Sequence, residues 1–159
     1  MKRKPINFKL EAKKEGDVTK VYLYGDIVDE QPVNPWTGEQ LKGDYIFPEK
    51  VRQLLESVET GDIELHINSY GGSVFASVAI YSYIKEMDKN VTCYIDGVAA
   101  SGASLIAVAG DKLIMPANTM LMVHRASGFC WGNCVDMRKV ADILEEIDNS
   151  TVVESYLAK

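Results

Sequence analysis

Between Asp96 and Asp111 the chain carries no charged side chain, and this run limits the folds open to it more than any other feature. Read as a helix, residues 101–109 (Ser-Gly-Ala-Ser-Leu-Ile-Ala-Val-Ala) have no polar face. A helix that is apolar all round has to be surrounded, by lipid or by protein. The run is too short for a bilayer, which needs about 20 apolar residues, and it holds two serines. It therefore predicts a helix buried in a protein core.

The sequence on either side supplies the rest of that core. Residues 18–27 alternate and end at Gly25-Asp26, a strand entering a turn; the first twenty residues read as an irregular arm or an edge strand. Residues 29–44, rich in Pro, Gly and Asn, read as a loop. Pro48 opens a helix with Val51, Leu54, Leu55 and Val58 on one face, expected to end at Gly61. A strand at 63–68 then meets a Gly71-Gly72 turn and a helix over 73–87 capped by Ser73. A strand at 91–95 meets a turn at Gly97 and the buried helix. Two short strands follow at 113–115 and 120–123, then a long helix from Asn133 with no Gly or Pro. Strands alternating with helices predict an α/β fold with a mostly parallel sheet. Length suits one domain.

Bulk chemistry narrows the partners. A formal charge of -6 argues against nucleic acid, whose phosphates need a basic excess. The basic Lys2-Arg3-Lys4 start is followed by no apolar segment of a signal peptide, so a cytoplasmic protein without a membrane partner is expected. Cys93, Cys130 and Cys134 lack the further Cys or His that a tetrahedral metal site requires, so no metal and no cofactor is expected.

Reactive groups in α/β sheets gather where strands end and helices begin. Three segments here have that character. Residues 67–73 place Gly71-Gly72 before a helix, residues 96–103 place Ser101 among Ala and Gly at a helix start, and residues 121–124 close an apolar strand with His124. A serine hydroxyl becomes nucleophilic when an imidazole takes its proton. Amides at a glycine turn and a helix N-terminus, those of Gly71 and Gly102, can hold an oxyanion. Of the two histidines, His66 lies inside its strand and suits a structural hydrogen bond, which leaves His124 as the base. Alone, a serine at a helix start is an ordinary cap and a Gly-Gly turn can serve a phosphate; their order and common placement point to acyl transfer. Residues 99–103 read Ala-Ala-Ser-Gly-Ala, which is not the G-x-S-x-G elbow of α/β-hydrolases.

These segments resemble the Clp protease proteolytic subunit (ClpP) family: Ile67-Asn68-Ser69-Tyr70-Gly71-Gly72-Ser73-Val74, Gly97-Val98-Ala99-Ala100-Ser101 and Met122-Val123-His124. The resemblance runs from about Val21 to the C-terminus. It is nearest to the phage and prophage ClpP-like head maturation proteases, through residues 107–111 and the stretch from Gly132 into the long helix. It implies a ClpP/crotonase-type spiral of ββα units, a single domain over 1–159 with a head at about 18–128 and a protruding handle helix at 132–158. It implies a serine endopeptidase acting on protein or peptide, with Ser101 as nucleophile, His124 as base and Gly71 and Gly102 as oxyanion hole. It also implies homo-oligomeric rings, heptameric or double, working either with an AAA+ unfoldase partner or independently of ATP. Tyr70 stands where the family commonly has proline, and Gly102 where the cellular enzymes have methionine. The family's triad aspartate lies past the handle helix, and the chain ends at Lys159, 35 residues past His124. Asp136, Asp142 and Asp148 fall on the handle and do not match it, so the third member is expected beyond residue 159 or absent. The alternatives are an inactive ring-forming scaffold, which that gap favours, and a crotonase-fold acyl-CoA enzyme, which an acid in place of Ser101 would have favoured.

Overall fold

Alternation builds the sheet. In the computed structural model, which describes residues 9–43, 45–59 and 61–159, strand β2 (Val18–Ile27) turns Val21, Leu23 and Ile27 inward. The same alternation recurs in β4 (Asp62–Gly72), through Ile63, Leu65 and Ile67, and in β5 (Val91–Ala100), through Val91, Cys93 and Ile95. Side chains two apart share a face, so the three strands present one continuous apolar surface. They pair in parallel, β2 with β4 and β4 with β5. The edge strand β1 (Lys9–Glu15) adds antiparallel to β2, and short β6 (Lys112–Ile114) adds to β5. The expected opening arm is thus an edge strand over 9–15; residues 1–8 lie outside the described residues.

Three helices cover the apolar face. Helix α1 (Pro48–Glu56) has Pro at its start and buries Val51 and Leu55. Helix α2 (Val74–Lys85) is capped by Ser73, whose hydroxyl accepts from the Ala76 amide, and buries Ala76, Ile80 and Ile84. Helix α3 (Gly102–Ala109) has all eight residues buried, as its lack of a polar face requires. Each fully buried Ile or Leu contributes about 1.5–3 kcal/mol, and the shared cluster of strand and helix residues is the core. On the other face His66 stacks between Tyr22 and Tyr94, ring centroids 4.9 and 5.0 Å away, with Nδ1 2.9 Å from an Asp96 oxygen.

Two expected turns do not end their strands. β4 runs through Gly71-Gly72 and β5 through Gly97, because pairing resumes after a shift in register, between Ile67 and Ser69 and again between Tyr24 and Asp26. Beyond the shifts the end of β2 also pairs with β3 (Tyr45–Ile46), and the end of β5 with β7 (Met120–Met122). Helix α1 also stops at Glu56, short of Gly61, with the Ser57 hydroxyl bonded to the Leu54 carbonyl.

The C-terminal helix has two characters. Its first part, α4 (Cys134–Glu146), opens on a capping box between Asn133 and Asp136 and buries no residue. A π-helical turn (Ile147–Val152) follows, then α5 (Val153–Leu157). This last part packs onto the domain: Tyr156 Oη lies 2.5 Å from Ser104 Oγ of α3, and Tyr81 Oη donates to the Ser155 carbonyl. No helix among the described residues is long and apolar enough to cross a membrane.

Candidate active site

Ser101 joins β5 to α3 with φ 54° and ψ -128°, the one non-glycine residue with positive φ among the described residues. Such a conformation costs on the order of 1–3 kcal/mol and persists only where its surroundings dictate it. Here they do. The Ser101 amide donates to the Met122 carbonyl of β7 at 2.9 Å, while its own carbonyl accepts from the Ser104 amide in the first turn of α3. The sharp bend brings the hydroxyl out of the sheet, and Oγ lies 2.8 Å from Nε2 of His124. That is hydrogen-bond distance for proton transfer.

The small residues around Ser101 are there for space. At Gly71 (φ 94°) a Cβ would stand 2.5 Å from the Ala100 carbonyl oxygen, 2.8 Å from Ser101 Cβ and 2.9 Å from the Gly102 nitrogen. At Gly102 a Cβ would lie 2.1 Å from Ser77 Oγ. The structure therefore brings all four candidate residues, Ser101, His124, Gly71 and Gly102, to one place. The two amides differ, however. Gly102 begins α3, where the first-turn amides have no acceptor within the helix. The Gly71 amide donates to Ser69 Oγ at 3.0 Å, and that hydroxyl in turn donates to the Gly25 carbonyl at 2.6 Å. Gly71 must leave Ser69 before it can hold an oxyanion.

Beside the Ser101–His124 pair a cleft of about 180 Å³ opens, with Leu105 on one wall and Leu144, Val152 and Tyr156 of the C-terminal helix on another. Burial raises the Tyr156 phenol's pKa, and its hydroxyl shares a hydrogen bond with Ser104 Oγ. Cys93, the buried thiol, is pushed up to about 11 by burial and offers no competing nucleophile.

One residue of this neighbourhood was legible to sequence reading only as part of a helix. Asp148, buried in the π turn, accepts from the Ala126 amide at 2.6 Å and from Arg125 Nε at 3.0 Å. Among the described residues, no hydrogen bond or ion pair joins a carboxylate to His124, whose side chain pairs with Ser101. His66, by contrast, has Asp96, on the far face of the sheet.

Comparison with known proteins points to one peptidase family. A family model described as Clp protease matches residues 46–159. The ATP-dependent Clp protease proteolytic subunit of Bacteroides fragilis is 35% identical over 118 residues, 72% of this chain and 54% of that protein. The chloroplastic ATP-dependent Clp protease proteolytic subunit 4 of Arabidopsis thaliana is 39% identical over 100 residues, 61% of this chain and 33% of that protein. Proteolytic subunit 3 of Rhodococcus jostii is 39% identical over 88 residues, 54% of this chain and 44% of that protein. The aligned part of the chain thus spans from a third to about half of these relatives' length.

Proposed function

Because the chain belongs to the Clp protease family, we propose that it is a serine endopeptidase with Ser101 as nucleophile and His124 as general base. The observation that carries this reading is the 2.8 Å contact between Ser101 Oγ and His124 Nε2 at a strained strand-to-helix bend. His124 Nε2 takes the hydroxyl proton as Oγ bonds to the scissile carbonyl carbon. The carbonyl oxygen, now negative, is held by the Gly102 amide and by the Gly71 amide once it has left Ser69. Each such donor is worth about 100- to 1,000-fold in rate. His124 then gives its proton to the departing amine, leaving an ester on Ser101. Water, losing a proton to His124, then bonds to the ester carbon; the Oγ–carbon bond breaks, His124 returns the proton to Ser101 Oγ, and the acid leaves. The apolar walls at Leu105, Leu144 and Val152 suit a substrate side chain next to the bond cut.

An orienting carboxylate normally contributes about four decades to such chemistry. With none bonded to His124 among the described residues, activated esters should turn over more readily than peptides. The finer parts of the reading rest on the family resemblance. Strands that resume pairing after a register shift suit the ββα spiral. The α4 segment, none of whose residues is fully buried in its own chain, suits a handle between subunits of a homo-oligomeric ring. Cytoplasmic processing of phage capsid or scaffold protein, with or without an unfoldase, rests on the sequence resemblance. The experiment is hydrolysis of an activated ester and of fluorogenic peptides by the wild-type chain and by Ser101→Ala. Turnover that disappears in the variant supports the proposal; equal turnover in both removes Ser101 from the chemistry.

A further inference from the structure

We infer that Asp148 is a positioning residue for His124, acting through the backbone that follows the imidazole; the inference rests on the serine-peptidase reading above. His124 lies outside regular structure: β7 ends at Met122, and no helix or strand begins again before Cys134. A side chain on irregular backbone is only as well placed as the anchors on either side of it. On the N-terminal side the anchor is the Met122 carbonyl, which accepts from the amide of Ser101 at 2.9 Å. On the C-terminal side it is the Ala126 amide, which donates to Asp148 Oδ1 at 2.6 Å. The two anchors stand two residues before and two residues after His124, so the imidazole hangs at mid-span between them.

The second anchor has the properties of a built clamp. Asp148 is 8% exposed, and a carboxylate is costly to bury unless donors satisfy both oxygens. Both donors come from the segment just past His124: the Ala126 amide on Oδ1 and the Arg125 guanidinium, 3.0 Å away, on Oδ2. A charged acceptor makes the amide bond stronger than a neutral one would be. Asp148 sits in a π turn, an interruption of helical pairing often found at functional sites. The same stretch of helix lends Leu144, Val152 and Tyr156 to the cleft. Asp148 thereby fixes the base and the cleft wall against each other.

The test compares Asp148→Ala, which removes the acceptor, with Asp148→Asn, which keeps an oxygen for the Ala126 amide. The rate of Ser101 acylation by a fluorophosphonate should fall about 10- to 100-fold in Asp148→Ala, the size of a displacement near 1 Å. It should be largely rescued in Asp148→Asn, with the wild-type unfolding temperature recorded alongside. The chain has two histidines, so ring-nitrogen NMR reads them separately. The His124 signals should broaden or double in Asp148→Ala while those of His66, on the other sheet face, stay unchanged. A folded Asp148→Ala protein with wild-type labelling and unchanged His124 signals overturns the inference. Hydrogen exchange in the wild-type chain needs no variant: the Ala126 amide should be protected relative to Ser127. Exchange as fast as its neighbour's also overturns the inference, even if Asp148→Ala does not fold. Failure of wild-type Ser101 to label at all would count against the peptidase reading, and the exchange and ring signals would still decide the clamp.

Discussion

Gly102 packs against Ser77, with the place of a Gly102 Cβ only 2.1 Å from Ser77 Oγ. This contact sets the height of α3 over α2 and so the position of the amide that follows Ser101. Ser77 is itself buried and donates to the Ser73 carbonyl, so it has little room to retreat. Gly102→Ala should therefore force α3 outward, at a cost of about 1–3 kcal/mol. At about 2–4 °C per kcal/mol for a domain of this size, the loss is visible in thermal unfolding. Adding Ser77→Ala should recover part of it, because the clashing oxygen is removed. A double variant no more stable than Gly102→Ala would show that the strain lies elsewhere.

Ser69 offers a second test of how the bend is held. Its buried hydroxyl donates to the Gly25 carbonyl and accepts from the Gly71 amide, tying β2 to the end of β4. Ser69→Ala leaves both groups without that partner, and an unsatisfied buried group costs about 1–3 kcal/mol. A fall of several degrees in Tm is expected, with the far-UV circular dichroism of the folded state unchanged. An unchanged Tm would mean that neither bond contributes.

His124 is exposed, and among the described residues its side chain hydrogen-bonds to Ser101 alone, so its removal should leave folding intact. His124→Ala should lower the rate of ester acylation about 100- to 10,000-fold, the usual contribution of a positioned base. Measured by stopped-flow with an activated ester, that loss should come with wild-type unfolding. Wild-type acylation in this variant would require another base.

The assembly reading can be tested on α4. Val135 and Ile143 are half exposed and stand eight residues apart, about two helical turns, which puts them near one face. Val135→Glu with Ile143→Glu should reduce the sedimenting mass to that of a smaller species while α5, docked on α3, keeps its contacts. An oligomer of unchanged size would place the interface elsewhere.

The alternation of β2, β4 and β5 and the apolar 101–109 run were readable from residue type, because burial on one face or on all faces leaves a period in the sequence. Ser101 and His124 could be singled out as candidates because each follows an apolar strand, although His124 stands two residues past the end of β7 rather than closing it. The course of β4 and β5 past Gly71 and Gly97 was not, since a glycine that ends a strand and one that lets it bend look alike without the neighbouring strand. The strain at Ser101 carried no elbow motif; its signature was only the small Ala100 and Gly102 on either side. Asp148 was hidden most deeply. Helical periodicity marks which side a residue faces, but not that its carboxylate bonds to an amide 22 residues earlier in the chain. The Ser69 hold on the Gly71 amide was equally invisible, because it depends on backbone direction within one turn.

The most direct measurement is site-mapped labelling by a fluorophosphonate, read by intact mass and by peptide mapping. One adduct per chain on Ser101 is expected, slowed strongly in His124→Ala and absent in Ser101→Ala. Labelling at another residue, or none in a wild-type protein shown to be folded, would contradict the assignment of Ser101 and His124 as a catalytic pair.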